Sequence, residues 1–308
     1  MKAVICTGYG SPEVLQLTEM PKPVPKDNEV LIKNFATTCH IGDVRVRSFD
    51  VPLLQKIPFR IYLGLTKPKR PVLGMELAGE VESVGRDVKR FKPGDKVFAC
   101  TGFVFGAYAE YTCVPEDSKN INIGMVAHMP ANMTYEEAAA GVTTGGITAL
   151  TGLRKSGIRG GQKIMVYGAS GSVGVFAVQL AKHYGAEVTG VCSTGNLEMV
   201  KSLGADKVID YTCEGLSKYG NDYDIVFDAV GKLTASKGKS LLNSTGKYVK
   251  VGTEGGVSID DFYFLKELVE SGEMRTVIDR IYPLEEIVEA HKYVEKGHKK
   301  GHVVITIN

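Results

Sequence analysis

The sequence predicts a two-domain α/β protein in which a barrel-type domain of short strands is joined to a doubly wound parallel sheet. Two rhythms and one glycine-rich turn carry that expectation. Over residues 1–125 the chain is a run of short β-like segments broken by turns, after Met133 strand-like and helix-like segments alternate, and a cluster of glycines separates one such strand from the helix that follows it. With 308 residues, 44% of them hydrophobic and 23% charged, the chain is long enough for about two cores and too apolar to be disordered.

In the first domain the strands are Val30–Lys33, Glu80–Val84, Lys96–Ala99 and Ala109–Val114. Lys92-Pro93-Gly94-Asp95 has Pro and Gly where a reverse turn uses them, and Pro21, Pro23 and Pro25 stiffen a surface excursion. The stretch Ser48–Leu73 differs, being apolar and aromatic (Phe49, Leu53, Leu54, Phe59, Tyr62) with Pro52, Pro58, Pro68 and Pro71 and cations such as Arg60 and Lys67. That composition suits a flap, a docking surface or a packed loop.

In the second domain Lys163–Tyr167 is a buried-strand run. Val173, Phe176, Ala177, Leu180, Ala181 and Tyr184 then recur at helical spacing before Gly185 ends the helix. Strand Glu187–Cys192, a helix over 196–203, and strands Lys207–Tyr211, Tyr223–Asp228 and Lys247–Val251 follow. Pro283–Lys296 reads as a helix with Leu284, Ile287, Val288 and His291 on one stripe, and the closing strand Val303–Ile307 completes an earlier sheet.

The charge sum, 37 basic against 35 acidic residues for a net +2, implies no broad field that would draw in nucleic acid or an anionic membrane and leaves a small molecule as the expected partner. Six cysteines, at 6, 39, 100, 113, 192 and 213, include no C-x-x-C pair, which fits reduced thiols. Met1–Cys6 runs straight into a β-like segment with no signal-peptide pattern, and no apolar run reaches the ~18 residues of a membrane span, so a cytoplasmic protein is expected.

The sharpest local signal is Tyr167-Gly168-Ala169-Ser170-Gly171-Ser172-Val173-Gly174, directly after a strand and directly before an apolar-periodic helix. Glycines there let the chain turn sharply and let backbone N–H groups approach a pyrophosphate at the helix N-terminus, with Gly174 allowing close helix–strand packing. The cofactor choice turns on the end of the second strand, where NAD enzymes place an Asp or Glu on the ribose hydroxyls. The chain reads Val191-Cys192-Ser193-Thr194-Gly195-Asn196 with no carboxylate before Glu198, which favours NADP(H), although the same residues would also serve as ordinary caps of the next helix. Cys39-His40 with Asp43 suggests a zinc pair, but the remaining cysteines and histidines lack ligand spacing, so no metal is expected and His40 and Asp43 read as a polar pocket wall beside a buried Cys39.

Together with Val72–Val81, Phe91–Val97, Gly106–Tyr111 and Tyr282–Glu286, these features resemble the medium-chain dehydrogenase/reductase superfamily, most closely its zinc-independent quinone oxidoreductase branch. The resemblance spans nearly the whole chain. It implies a GroES-like β-barrel-type catalytic domain (1–125, completed by 274–308), an inserted Rossmann domain (126–273) and an active site in the cleft. Gly74-Met75-Glu76 stands where zinc-dependent members have Gly-His-Glu, and Ala140 where they have a ligand cysteine.

By the resemblance, Thr144 and Gly145 lie near the nicotinamide, Gly168, Ala169, Ser170, Gly171, Ser172, Val173 and Gly174 hold the pyrophosphate, and Ser193, Thr194 and Tyr211 surround the adenine ribose phosphate. Val230, Gly231, Val251 and Gly252 flank the cofactor, Lys299-Lys300 touches its nicotinamide half, and His40 and Asp43 face the substrate, His40 supplying a polarising hydrogen bond. The implied activity is hydride transfer from NADPH to quinones or α,β-unsaturated carbonyls. Reduction of 2-enoyl thioesters and cofactor binding with little catalysis are the alternatives. Gly195 stands where relatives often have a cation for the 2′-phosphate, and the stretch 253–261 is too short for the parallel crossover leading to the strand that relatives pair across a homodimer: either that edge strand is truncated or a loop is missing there, which leaves the homodimer an open alternative.

Overall fold

β1 (Lys2–Cys6) and β2 (Leu15–Glu19) form an antiparallel pair at the start of a computed structural model that describes residues 1–51, 56–118, 120–252 and 256–308. β3 (Glu29–Thr38) is the longest strand of the first unit and buries Val30, Leu31 and Ile32 in succession, as a strand covered on both faces must. Helices α1 (Ile41–Ser48) and α2 (Lys56–Leu63) precede β4 (Glu76–Val84), β5 (Lys96–Cys100), β6 (Tyr111–Pro115) and β7 (Met125–His128). β3 pairs antiparallel with β4 and β6, β4 with β5, and β5 with β7. β7 comes back alongside β6, so the sheet curls around Val30, Ile32, Leu77, Phe91, Val97 and Val126. Leu53 and Leu54 of the apolar stretch lie outside the described residues.

α3 (Tyr135–Ala139) is held at its start by a reciprocal cap in which Thr134 accepts from the Glu137 N–H and Glu137 accepts from the Thr134 N–H. A π-helical turn, Val142–Gly146, leads into α4 (Ile147–Ser156). The second unit then alternates: β8 (Lys163–Tyr167), α5 (Gly174–His183), β9 (Glu187–Cys192), α6 (Leu197–Ser202), β10 (Lys207–Asp210), β11 (Tyr223–Asp228), α7 (Ala235–Lys239), β12 (Leu242–Lys250) and α8 (Ile259–Glu270). Among the described residues its five strands are all parallel in the order β10-β9-β8-β11-β12. The chain direction along the sheet therefore reverses between β8 and β11, and ligands of such sheets bind at the strands' C-terminal ends near that point. β12 is an edge among the described residues, and residues 253–255 of the short link lie outside them.

β13 (Ile278–Pro283), α9 (Ile287–Glu295) and β14 (His302–Thr306) close the chain, with β14 parallel to β13 and antiparallel to β3. The units are Met1–Thr143 with Ser258–Asp260 and Ile278–Asn308, and Thr144–Val257 with Asp261–Val277. The division falls after Thr143 rather than at 125, because β7 is hydrogen-bonded to β5 and α3 packs on β3 and β4. β12 starts at Leu242, earlier than the apolar run suggests: Leu242 pairs with Tyr223, and a register shift then carries a polar stretch before Lys247 pairs with Ile225. The last helix opens as a 3-10 turn at Leu284–Glu286, since Pro283 is still the end of β13.

Candidate functional site

The glycine turn connects β8 to α5. Gly168 sits at φ +79, a conformation open to glycine, and a Cβ on Gly174 would lie 2.1 Å from the Gly168 carbonyl oxygen. The Gly168 and Ala169 N–H groups both donate to the Val191 carbonyl, and Gly171 N–H donates to the Gly168 carbonyl. The turn is thus fixed from beneath by β9. Ser170, Ser172 and Val173 lead from the turn into α5, whose N-terminal dipole favours an anion.

Beyond β9 lies a polar cluster. Asn196 Nδ2 donates to Ser193 Oγ at 3.1 Å and to Ser170 Oγ at 3.3 Å, joining the glycine turn to the end of the second strand. Thr194 is placed differently from its expected phosphate-binding role, because its hydroxyl donates to Asp210 Oδ2 at 2.5 Å. Hydroxyl donation from Thr194 and Thr212 holds the Asp210 carboxyl well below the usual range, so a fixed anion stands beside Thr194. NAD enzymes place their ribose-binding carboxylate at the end of the second strand, whereas this one comes from the third. Tyr211, half-exposed, lies 6.4 Å from Tyr167 ring to ring, and both border an open cavity of about 250 Å³ with Leu216, Lys232 and Lys237. Lys232 and Lys237 follow β11 in the chain and had no motif to mark them.

The loop after β11 is built on Asp228, fully buried, whose carboxylate accepts from the N–H groups of Val230 (3.1 Å), Gly231 (2.8 Å) and Leu233 (2.9 Å) and from the Tyr248 hydroxyl (3.1 Å). The Val230 and Gly231 amides, expected beside the cofactor, are therefore committed to Asp228. Val230 instead offers its side chain, since a Cβ on Gly168 would meet Val230 Cγ2 at 2.0 Å. Val251 N–H donates to the Asp228 carbonyl, and Gly252 has φ +90 with open space where a Cβ would be. Gly145 is buried in the π-helical turn, and next to it Thr144 Oγ1 is buried and makes no hydrogen bond. A buried hydroxyl without a partner suits a polar ligand atom. That hydroxyl and the glycine turn fit a dinucleotide.

In the first unit His40 caps α1. Its Nδ1 accepts the Gly42 N–H at 3.0 Å, so the ring proton of the neutral form resides on Nε2. Burial, then the charges of Lys299 and Arg45, push His40 down to about 4, so at neutral pH it is an uncharged Nε2–H donor. Asp43 departs from its expected place on a pocket wall. It is 0% exposed, with Oδ2 accepting from the His40 N–H (3.2 Å) and Oδ1 from the Gly74 N–H (3.1 Å). Burial pushes its carboxyl up to about 7, against hydrogen bonds from those two amides and the Tyr108 hydroxyl. Tyr108 Oη lies 3.1 Å from His291 Nε2 inside the core. Asp43 ties α1 to the Leu73–Gly74 turn and has no face toward a substrate.

Lys300, by contrast, is exposed, and it is Lys299 that turns inward, donating from Nζ to the Gly301 carbonyl at 2.7 Å. Cys39 N–H donates to the Val303 carbonyl, and β14 pairs with β3 through Val304 and Thr38, so residues 299–302 approach the Cys39–His40 turn. Burial lowers the Lys299 ammonium to about 8 against the upward pull of Cys39, Glu76 and Asp279. The donor set does not fit a zinc ion. His40 Nδ1 is spent on Gly42, and the side chain next to that turn is the Met75 thioether, its sulfur 3.0 Å from where a Cβ on Gly42 would lie. Glu76 Oε2 accepts the Thr38 hydroxyl at 2.7 Å, and among the described residues no three His, Cys, Asp or Glu side chains are grouped to hold a metal.

A parallel sheet with a glycine turn between its first strand and the helix that follows, in one chain with an antiparallel barrel-type unit, defines a nicotinamide-dependent oxidoreductase of two domains. Comparison with known proteins places it further. The alcohol dehydrogenase GroES-like domain model matches residues 26–124, and the zinc-binding dehydrogenase model matches residues 172–286. A 2-methylene-furan-3-one reductase of Solanum lycopersicum is 37% identical over 99% of this chain and 79% of its own length. An NADPH-dependent alkenal/one oxidoreductase, chloroplastic, of Arabidopsis thaliana is 34% identical over the same shares. The solved quinone oxidoreductase from Coxiella burnetii, 28% identical, superposes with a TM-score of 0.83 over 100% of this chain and 99% of its own. The chain belongs to the medium-chain dehydrogenase/reductase superfamily, in its quinone oxidoreductase-like branch, and its units are the GroES-like and Rossmann domains of that fold.

Proposed function

We propose that this enzyme reduces quinones or α,β-unsaturated carbonyl compounds with NADPH and without a metal. The observation that carries the reading is the glycine turn braced on Val191, which fits a pyrophosphate at the N-terminus of α5. The adenosine end would be held by Tyr211 and Tyr167 over the cavity between the loops, with Ser193, Asn196, Lys232 and Lys237 as hydrogen-bond and charge partners for a 2′-phosphate. Thr144 Oγ1 would meet the nicotinamide end. NADPH, when bound there, supplies a hydride.

The acceptor also needs a proton and a polarised oxygen, and the first unit holds two side chains with that chemistry. His40 offers a neutral, fixed Nε2–H as hydrogen-bond donor. Lys299 holds a proton on Nζ whose release is matched to pH about 8, close to the pH at which general acid catalysis is efficient. A conjugated acceptor delocalises the charge it receives, so these donors suffice where a simple alcohol or ketone would call for a stronger Lewis acid. All six cysteines are free thiols, which fits a reducing compartment.

The test is NADPH and NADH oxidation followed at the nicotinamide absorbance with an ortho-quinone, an alkenal and a crotonyl thioester, before and after dialysis against a chelator. Chelator-insensitive turnover of the quinone or alkenal, faster with NADPH, is the expected result. Turnover confined to the thioester, or lost on chelation, would overturn the reading.

A further inference from the structure

The outer face of α2 and the loop after it stand apart from the rest of the surface. Of the eleven large apolar side chains that are strongly exposed among the described residues, Ile57 (74%), Ile61 (64%), Tyr62 (59%) and Leu65 (71%) fall within this one segment. Ile57 and Ile61 are four apart and share a helix face, and Leu65 follows just past the helix end. Scattered single apolar residues are ordinary on a protein surface, whereas a contiguous group marks an interaction site.

The charges around the group are of one sign. From Val51 to Met75 the chain has no Asp or Glu and five cations, Lys56, Arg60, Lys67, Lys69 and Arg70, while the remainder of the chain is net negative. The near-zero total conceals this local excess, which is why composition alone points away from a membrane.

The segment is also anchored. Leu63 is buried, the Arg60 guanidinium stacks over the rings of Phe49 (4.1 Å) and Tyr9 (4.7 Å), and Tyr9 Oη donates to the Gly64 carbonyl at 3.0 Å. Lys69 Nζ donates to the Ile61 carbonyl at 2.7 Å, and Arg70 donates to the Phe103 carbonyl at 2.9 Å. These bonds hold the inner face in place and leave Ile57, Ile61 and Leu65 outward, with Lys56 and Lys67 exposed nearby. An apolar helix face flanked by cations and free of carboxylates matches the boundary between acyl chains and anionic headgroups.

We propose that this face docks the enzyme onto an anionic phospholipid surface. Apolar residues would enter the headgroup region while the lysines remain at phosphate level, so attachment should be reversible and sensitive to salt.

The experiment is sedimentation of the full chain with vesicles of phosphatidylcholine alone and with about a third phosphatidylserine, at low salt and at ~0.5 M salt. Wild type should sediment with the anionic vesicles roughly tenfold more than with the neutral ones, and salt should release it. The double variants I57E/I61E and K56E/K67E should each remove that excess, while Ile281→Glu, an exposed site elsewhere, should retain it. Thermal unfolding and turnover of a water-soluble acceptor should be unchanged in the patch variants, since only exposed side chains are altered. Equal sedimentation of wild type and I57E/I61E, or none above the neutral vesicles, overturns the proposal. So does wild type that ignores lipid while I57E/I61E splits a dimer, which would make the face a contact between copies, or slows the soluble acceptor, which would make it a substrate channel. Lipid partition is read without turnover, so its failure and that of the proposed reaction are separable.

Discussion

Thr194 Oγ1 lies 2.5 Å from Asp210 Oδ2, so the hydroxyl just beyond the second strand of the parallel sheet is engaged by a carboxylate from the third. A fixed anion there opposes a 2′-phosphate and can accept from ribose hydroxyls, while Ser193, Lys232 and Lys237 favour the phosphate. The two influences compete in one small region. Asp210→Asn should raise the NADPH-over-NADH ratio of kcat/KM by about tenfold, equivalent to ~1.4 kcal/mol. An unchanged ratio would place the cofactor's ribose away from Asp210.

Gly174→Ala should cost about 3 kcal/mol of stability and abolish cofactor binding, because its Cβ would stand 2.1 Å from the Gly168 carbonyl oxygen, inside backbone rather than against a movable side chain. Chemical denaturation and quenching of NADPH fluorescence read the two effects. Gly195→Ala is the control, with nothing within 4 Å of the added carbon, and should retain both stability and binding.

Asp43→Ala should lower stability by about 3 kcal/mol, since it strands the His40 and Gly74 amides in the core. The pH dependence has a definite sign. Asp43 is raised from 3.8 to about 7 in the folded chain, so its protonated form contributes stability that is complete below pH 3.8 and is lost as pH rises through about 7. Asp43→Asn, which cannot titrate, should flatten that descent. Urea unfolding at a series of pH values would show it.

Lys299 should set the alkaline limb of activity. Its ammonium is charged below about 8 and neutral above, so kcat for a quinone should fall as pH rises through about 8. Lys299→Met should lower kcat by about a hundredfold and remove that limb, and His40→Ala should keep it, because His40 does not titrate near it. Stability moves the opposite way: with the folded value below 10.5, the unfolded chain binds the proton more tightly, and stability rises from pH 8 to 10.5. A pH profile of Lys299→Met identical to wild type would assign the proton to another group.

The parallel sheet was legible because its strands are continuous apolar runs, and the glycine turn because its residues are contiguous and flanked by a strand and a helix. The features that were not legible are those made by tertiary pairing. Asp210 reaches Thr194 only because β10 lies beside β9, with Asp210 opposite Cys192. Asp43 looked like a pocket residue from its neighbour His40, but its partners include Gly74 and Tyr108, far along the chain. Lys299 and Lys300 are adjacent and chemically alike, and only the hydrogen bond to Gly301 and the pairing of β14 with β3 turn one inward and the other out. The cap of α1 is not legible in the sequence because His40 takes the place usually held by Ser, Thr or Asp.

The most direct measurement of the central claim is the fate of deuterium from NADPH labelled at the transferable position, followed by mass spectrometry and NMR of the product of an α,β-unsaturated aldehyde after exhaustive chelation of the enzyme. The account predicts one deuterium on the β-carbon of the saturated aldehyde, with the α-proton taken from solvent and the rate unchanged by chelation. Product free of deuterium, deuterium at the carbonyl carbon of an allylic alcohol, or activity that returns only with added zinc would contradict it.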